Sequence, residues 1–173
     1  MQKLPRYVTK EEFEKIFIAE TNKKYKLAYL LGFEAGLRIS EIVGLNDRQG
    51  CIIVPPLKAE AVDNVSIRVL SGKGQKDRIV PRPRRMNNAA IKLLPLKMSR
   101  RALQYRIKKL GLEVINKKIT FHSLRHGFAS RLVEQGRPLH EIQMLLGHSR
   151  LDTTGIYLHA NPKQAVEAAR DAF

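Results

Sequence analysis

This chain is short of acidic residues, carries a single cysteine and has no long apolar run. One cysteine, Cys51, excludes an internal disulfide and fits a reducing compartment. Because it opens the apolar run Cys51-Ile52-Ile53-Val54, it is expected to be a buried structural thiol. No stretch reaches the ~18 apolar residues that a membrane-spanning helix needs. The start, Met1-Gln2-Lys3-Leu4-Pro5, lacks a signal-peptide core. A soluble, cytoplasmic protein is therefore expected. Against 16 Asp and Glu stand 32 Lys and Arg, a formal charge of +16. Such an excess implies an anionic partner, either nucleic acid or an acidic membrane surface. Charge alone does not separate these, nor does it exclude a ribosomal-type RNA binder.

What is present suffices for a core. Apolar residues make up 43% of 173 positions, enough for one compact domain. Thr9 with Glu12 three residues later reads as a capping box, which predicts a helix over 10–19. Leu27, Leu30, Leu31 and Glu34 recur at helical spacing and predict a second over 23–35, stopped by Gly36. Residues 40–45 read as a short third helix capped by Ser40. The pattern then changes to strands. Residues 51–54 form a short apolar strand ended by Pro55-Pro56. Residues 64–70 alternate, with Val65, Ile67 and Val69 on one side. After the turn Gly72-Lys73-Gly74-Gln75-Lys76-Asp77, Arg78-Ile79-Val80 returns. Further helices are predicted over 99–110, capped by Ser99 with Leu103, Ile107 and Leu110 inside, and over 123–135 and 139–146. A short helix or turn over 151–158 and a last helix over 163–172 follow. With no internal repeat, the expectation is one α+β domain, mainly α-helical, with a small three-stranded antiparallel sheet.

Several polar residues stand in an order that suits phosphate chemistry. They are Arg38, Lys73, His122, Arg125, His148 and Tyr157. Arginine grips two phosphate oxygens at once and never deprotonates, whereas a lysine ammonium can give up a proton to a leaving oxygen. A tyrosine hydroxyl ionises near pH ~10, so making the phenolate at pH 7 costs roughly 4 kcal/mol. Nearby cations lower that cost and also stabilise charge on a pentacovalent phosphorus. Taken singly, each residue has a plainer explanation. Arg38 suits a helix-end cation paired with Glu34 or Glu41, Lys73 and Lys76 suit a solvated turn, and Tyr157 suits a half-buried aromatic. The Gly-Lys-Gly segment is no Walker loop, since the Gly-x4-Gly-Lys-Ser/Thr spacing is absent. His122 and His126 are four apart but lack the Glu of His-Glu-x-x-His and any nearby acidic or Cys ligand, so no metal is assigned. His126 reads as a packing or hydrogen-bonding residue, and His140 and His159 as surface residues. Tyr7, Tyr25, Tyr29 and Tyr105 have no such motifs around them.

Five segments together carry a family resemblance. They are Gly36-Leu37-Arg38-Ile39-Ser40-Glu41, Gly72-Lys73-Gly74-Gln75-Lys76-Asp77-Arg78, His122-Ser123-Leu124-Arg125-His126, Gln143-Met144-Leu145-Leu146-Gly147-His148 and Thr153-Thr154-Gly155-Ile156-Tyr157. In order and spacing they resemble the catalytic domain of tyrosine recombinases, or phage-type integrases, nearest to the Xer branch. The resemblance implies that Tyr157 is the nucleophile forming a 3′-phosphotyrosyl bond to DNA. It implies that Arg38 and Arg125 clamp the scissile phosphate and that Lys73 is the general acid. It makes His122 the proton acceptor, has His148 bond a nonbridging oxygen, and gives Glu41 a supporting role near His122. No metal and no cofactor is implied.

The implied partner is double-stranded DNA, which would associate the protein with the nucleoid. A homo-oligomer, a tetramer on synapsed DNA, is also implied, with a monomer left open for the isolated domain. A type IB topoisomerase-like relaxing enzyme and a non-catalytic DNA- or RNA-binding module are the alternatives. Residues 1–173 are expected to be one catalytic domain without the family's preceding DNA-clamping domain. The segment between Val80 and Ser99 is short and basic where longer relatives place an extra helix and loop. Arg100, Arg101, Gln104 and Lys108 point outward from the apolar stripe of their helix, so with Lys76 they form the expected DNA-binding set. A solvated cationic face is the plain alternative for that helix.

Overall fold

The computed structural model describes residues 7–70 and 77–147. Helix α1 (Lys10–Ala19) starts at the capping box: the Thr9 N–H donates to Glu12 at 3.0 Å, and the Glu12 N–H donates to the Thr9 hydroxyl. Helix α2 (Lys23–Glu34) is capped by Asn22 and buries a continuous run from Leu27 to Phe33. Gly36 follows with φ +66°, and a Cβ there would stand 2.5 Å from the Phe128 ring. Both the left-handed backbone and the close ring require glycine.

Helix α3 (Ile39–Val43) begins one residue earlier than the sequence suggests, and Ser40 is not its cap. Arg38 occupies the cap position, and the Glu41 carboxylate accepts its N–H at 2.6 Å. The capping side chain thus comes from the first turn of the helix itself.

Among the described residues the strands form two separate two-stranded antiparallel ribbons rather than one three-stranded sheet. In the first, β1 (Leu45–Asn46) pairs with β2 (Ile52–Val54). In the second, β3 (Ser66–Val69) pairs with β4 (Arg78–Pro81), Val69 lying opposite Arg78. Pro55 and Pro56 end β2, and a 3₁₀ turn at Ala59–Ala61 carries the chain away. Proline cannot donate to a ladder, so the first ribbon cannot extend toward the second. Cys51 is exposed, contrary to the expected buried thiol. Its ribbon leaves Ile52 and Ile53 exposed as well, so the apolar run there does not mark core. In β3, Ile67 and Val69 are buried, but Val65 precedes the strand and faces solvent.

Between the ribbons and the remaining helices lies α4 (Asn88–Ile91), a short turn capped by the Asn87 side chain. Helix α5 (Arg100–Ile115) is capped by Ser99 and buries Leu103, Ile107 and Leu110 as expected. It runs on past Leu110 to Asn116, which ends it in the left-handed region. Helix α6 (Phe121–Glu134) starts at Thr120 and packs along α2, and α7 (Leu139–Leu146) packs on α6. The main core unites α1, α2, α5 and α6 around Phe13, Phe33, Leu31, Leu103, Phe121 and Leu124. Fully burying each such side chain stabilises by about 1.5–3 kcal/mol. A second, smaller cluster of Phe128, Ala129, Ile142 and Leu146 fixes α7 against α6. Among the described residues no helix is long and apolar enough to cross a membrane.

Candidate active site

Three elements deliver the site. The end of α2 turns at Gly36 and presents Arg38 at the start of α3, the first turn of α6 presents His122 and Arg125, and the last turn of α7 lies across them. Arg38, His122 and Arg125 line one cavity of about 230 Å³, together with Leu37, Ile39, Ser40, Gln104 and Phe121. A larger cavity, about 340 Å³, is walled by Pro55, Leu57, Lys58, Arg68 and Leu70 and reaches this group only at Glu41. The smaller one is lined by two arginines and a histidine, residue types that suit a phosphate, so the candidate site is placed there.

Arg125 is buried. It donates from Nη1 to the Gly36 carbonyl and from Nη2 to the Leu146 carbonyl, both at 2.5 Å. Arg38 is partly exposed and donates from Nη2 to the Gly147 carbonyl at 3.2 Å and from Nη1 to Glu41 at 2.9 Å. Arg78 donates from Nε to the Leu145 carbonyl at 2.7 Å. Three guanidiniums therefore hold three successive carbonyls at the end of α7, where a helix leaves its last carbonyls without intrahelical donors. Cations there also complement the negative end of the helix dipole.

Glu41 is the anion at the centre. Arg78 grips both of its oxygens, at 2.7 and 2.8 Å, and both side chains are buried. Burial alone would raise the Glu41 pKa. The Arg78 hydrogen bonds and charge, followed by the Arg38 N–H and guanidinium, outweigh it and hold the carboxyl below its ordinary value. The resemblance gives Glu41 a supporting role near His122, but its described partners are Arg38 and Arg78. The sequence reading puts Arg78 in a returning strand and at the end of the hairpin segment of the resemblance, without a role of its own. The signal was present: in β4, residues 78 and 80 share a face, and Val80 is core, so a charge in that register needs a buried partner.

His122 is exposed at the cavity while its imidazole is crowded by protein. Burial, then the charges of Arg125 and Arg38, lower its pKa from the ordinary 6.5. The ring stays neutral at pH 7 and can accept a proton. His126 sits edge-on to it, ring centroids 4.3 Å apart, and burial followed by His122 and Arg125 lowers its pKa to about 4. Among the described residues no three His, Cys, Asp or Glu gather as metal ligands.

Gln104 is half-buried rather than directed to solvent. Its Oε1 accepts the Phe121 N–H at 2.9 Å, which caps α6, and it lines the cavity. Arg100, Arg101 and Lys108 are exposed on α5. Lys73, Lys76, His148 and Tyr157 lie outside the described residues, as do the predicted helices over 151–158 and 163–172 and the residue His159. Of the other tyrosines, Tyr29 is fully buried with its hydroxyl donating to Glu20. Burial and the Glu20 charge push its ionisation well above the ordinary range.

Comparison with known proteins agrees with this geometry. The phage integrase family model matches residues 6–164. Tyrosine recombinase XerA of Thermococcus kodakarensis is 34% identical over 189 residues, covering 98% of this chain and 62% of the relative. A tyrosine recombinase of Thermosipho africanus is 31% identical with the same coverage. The chain thus spans about 62% of the length of these curated relatives. Among solved structures, XerA recombinase superposes with a TM-score of 0.71 at 27% identity, covering 99% of this chain and 66% of that one. The catalytic domain of bacteriophage HP1 integrase shares the fold, with a TM-score of 0.64 at 21% identity over 95% of this chain and 93% of that one. Motif order, the cavity that joins Arg38 to His122 and Arg125, and the match along most of its length agree: the chain belongs to the phage integrase family.

Proposed function

We propose that this chain is the catalytic domain of a site-specific DNA recombinase that cuts and rejoins strands through a 3′-phosphotyrosyl intermediate. The observation that carries this reading is the single cavity lined by Arg38, His122 and Arg125. Its two guanidiniums suit the nonbridging oxygens of a phosphodiester, and both would counter the charge that grows on phosphorus during displacement. The Tyr157 oxygen forms the new bond to phosphorus as the bond to the 5′ oxygen breaks. The tyrosine proton passes to neutral His122, and the 5′ oxygen takes a proton from Lys73. His148 bonds a nonbridging oxygen. The phosphotyrosyl link conserves the bond energy, so a second 5′-hydroxyl can reverse the step and exchange strands.

Double-stranded DNA is the partner that fits a charge of +16. The solved XerH site-specific recombinase, bound to its difH substrate, shares this fold with a TM-score of 0.72 at 24% identity. Lys76, Arg100, Arg101 and Lys108 would bind the duplex, with Gln104, which lines the cavity. Assembly as a tetramer on paired sites completes the reading.

The test uses a duplex nicked close to the cleavage point, so that the short leaving strand diffuses away and traps the covalent complex. The expected result is a protein–DNA adduct that survives denaturing electrophoresis and vanishes in Tyr157→Phe. Salt-sensitive binding with no adduct would refute the reading in favour of a binding module. Relaxation of supercoils without exchange between two sites would replace it with a relaxing enzyme.

A further inference from the structure

The phosphate-facing arginine does not hold Glu41 alone. Arg78 takes both carboxylate oxygens, at 2.7 and 2.8 Å, and the Arg38 guanidinium meets Oε1 at 2.9 Å. The third side of the arrangement is the end of α7, where Arg78 holds Leu145 and Arg38 holds Gly147. Side chains of Glu41 and Arg78 are 3% and 6% exposed, against 26% for Arg38. Arg78 is thus too deep to reach DNA, while Arg38 borders the cavity.

From this geometry we infer that Arg78 is a positioning residue: by satisfying the buried Glu41 carboxylate it leaves the Arg38 guanidinium turned to the cavity and to the DNA phosphate. A buried carboxylate requires a paired cation. With Arg78 removed, the nearest remaining guanidinium is that of Arg38, already bonded to Glu41 Oε1. Rotation into a two-oxygen grip would satisfy Glu41 and withdraw Arg38 from the substrate. Arg78 also stands opposite Val69, at the last described rung of the β3–β4 ribbon. Its charge therefore ties that ribbon, α3 and the end of α7 to one anion. The inference rests on the proposed role of Arg38 as a phosphate clamp, and the experiment separates the two.

The measurement is single-turnover adduct formation on the nicked duplex, with the salt dependence of DNA binding and a thermal midpoint taken on the same preparations. Arg78→Gln is expected to slow cleavage at least tenfold at saturating DNA. It is also expected to lower the slope of log K against log salt by about 0.9, the loss of one phosphate contact, although the residue itself cannot touch DNA. Adding Glu41→Gln to Arg78→Gln removes the anion that would claim Arg38, so the double variant should cleave faster, and bind DNA with a steeper salt slope, than Arg78→Gln alone.

A folded Arg78→Gln protein with wild-type rate and slope overturns the inference, as does a folded double variant that recovers neither. If Arg78→Gln does not fold, Arg78→Lys carries the test. It keeps a cation beside Glu41 and should preserve the salt slope, but one ammonium cannot reproduce the two-oxygen grip, so cleavage should fall a few-fold. A folded Arg78→Lys that loses tenfold or more would show that geometry rather than charge matters, and would refute the account. Arg38→Ala is the control for the underlying reading. If it cleaves and binds like wild type, the phosphate-clamp role fails, whatever Arg78 does.

Discussion

Replacing Gly127 by alanine sets two known effects against each other on the helix that carries His122 and Arg125. A Cβ at Gly127 would stand 2.5 Å from the Val8 carbonyl oxygen and 2.6 Å from the Phe33 ring. Neither neighbour yields easily. The Val8 segment is tied to α6 by its N–H, which donates to the Ser123 carbonyl at 3.4 Å. The Phe33 ring is stacked on Phe13 with centroids 4.0 Å apart, and Arg131 lies over it. Overpacking of this kind costs about 1–3 kcal/mol. Against it, alanine is favoured over glycine inside a helix by about 1 kcal/mol. Because one clash is with backbone, the upper half of the overpacking range applies, and the net loss is about 1–2 kcal/mol. For a chain of this size each kcal/mol moves the midpoint by about 2–4 °C, so Gly127→Ala should melt about 2–8 °C below wild type by far-UV circular dichroism. Gly50→Ala is the comparison. Its Cβ would meet nothing within 4 Å, but its φ of +87° disfavours any side chain, so it reports backbone strain alone. A Gly127→Ala protein melting at or above wild type would show that helix propensity wins and that α6 does not sit as tightly on α2 and Val8 as described.

Other outcomes follow from the charges. His122 has a lowered pKa and must be neutral to accept a proton, so the acid limb of the cleavage rate should lie below 6.5, and His122→Gln should flatten it; an acid limb at or above 6.5 would contradict this. His126 is neutral when folded, with a pKa of about 4, and titrates near 6.5 when unfolded. The unfolded chain therefore binds the extra proton, and stability should fall as pH drops from about 6.5 toward 4. After discounting for partial exposure the loss is about 2 kcal/mol, and urea midpoints of wild type and His126→Gln across that window should diverge accordingly. On α5, Arg101→Ala with Lys108→Ala should weaken DNA binding and reduce the salt slope by about 1–2; unchanged binding would make that face a solvated surface.

Legibility in the sequence followed the strength of local signals. Helix α1 was readable because Thr9 and Glu12 cap it reciprocally, and α7 because its apolar spacing ends at a glycine with φ +61°. The end of α5 was misplaced because Gly111 looks like a stop. It is instead a contact, where a Cβ would stand 2.4 Å from Ile119. Ser40 resembles a cap in the sequence, whereas the capping group, Glu41, lies inside the helix and also binds Arg38. Cys51 was misjudged because a short apolar run looks the same in a surface ribbon as in a core strand. Within the site, residue types and order were enough to single out Arg38, His122 and Arg125, which share one cavity. For Arg78 the strand register signals only that a charge is buried; its partner Glu41 lies thirty-seven positions away in sequence, a pairing that no local pattern encodes.

In the proposed reaction a phosphate held by Arg38 and Arg125 is attacked by Tyr157 and by no other tyrosine. Peptide mapping of the trapped protein–DNA adduct tests it most directly. The account predicts a phosphotyrosyl bond on Tyr157 alone, in wild type, with the yield reduced at least tenfold in Arg125→Ala. DNA attached to exposed Tyr7 or Tyr105, or an undiminished yield without Arg125, would contradict it.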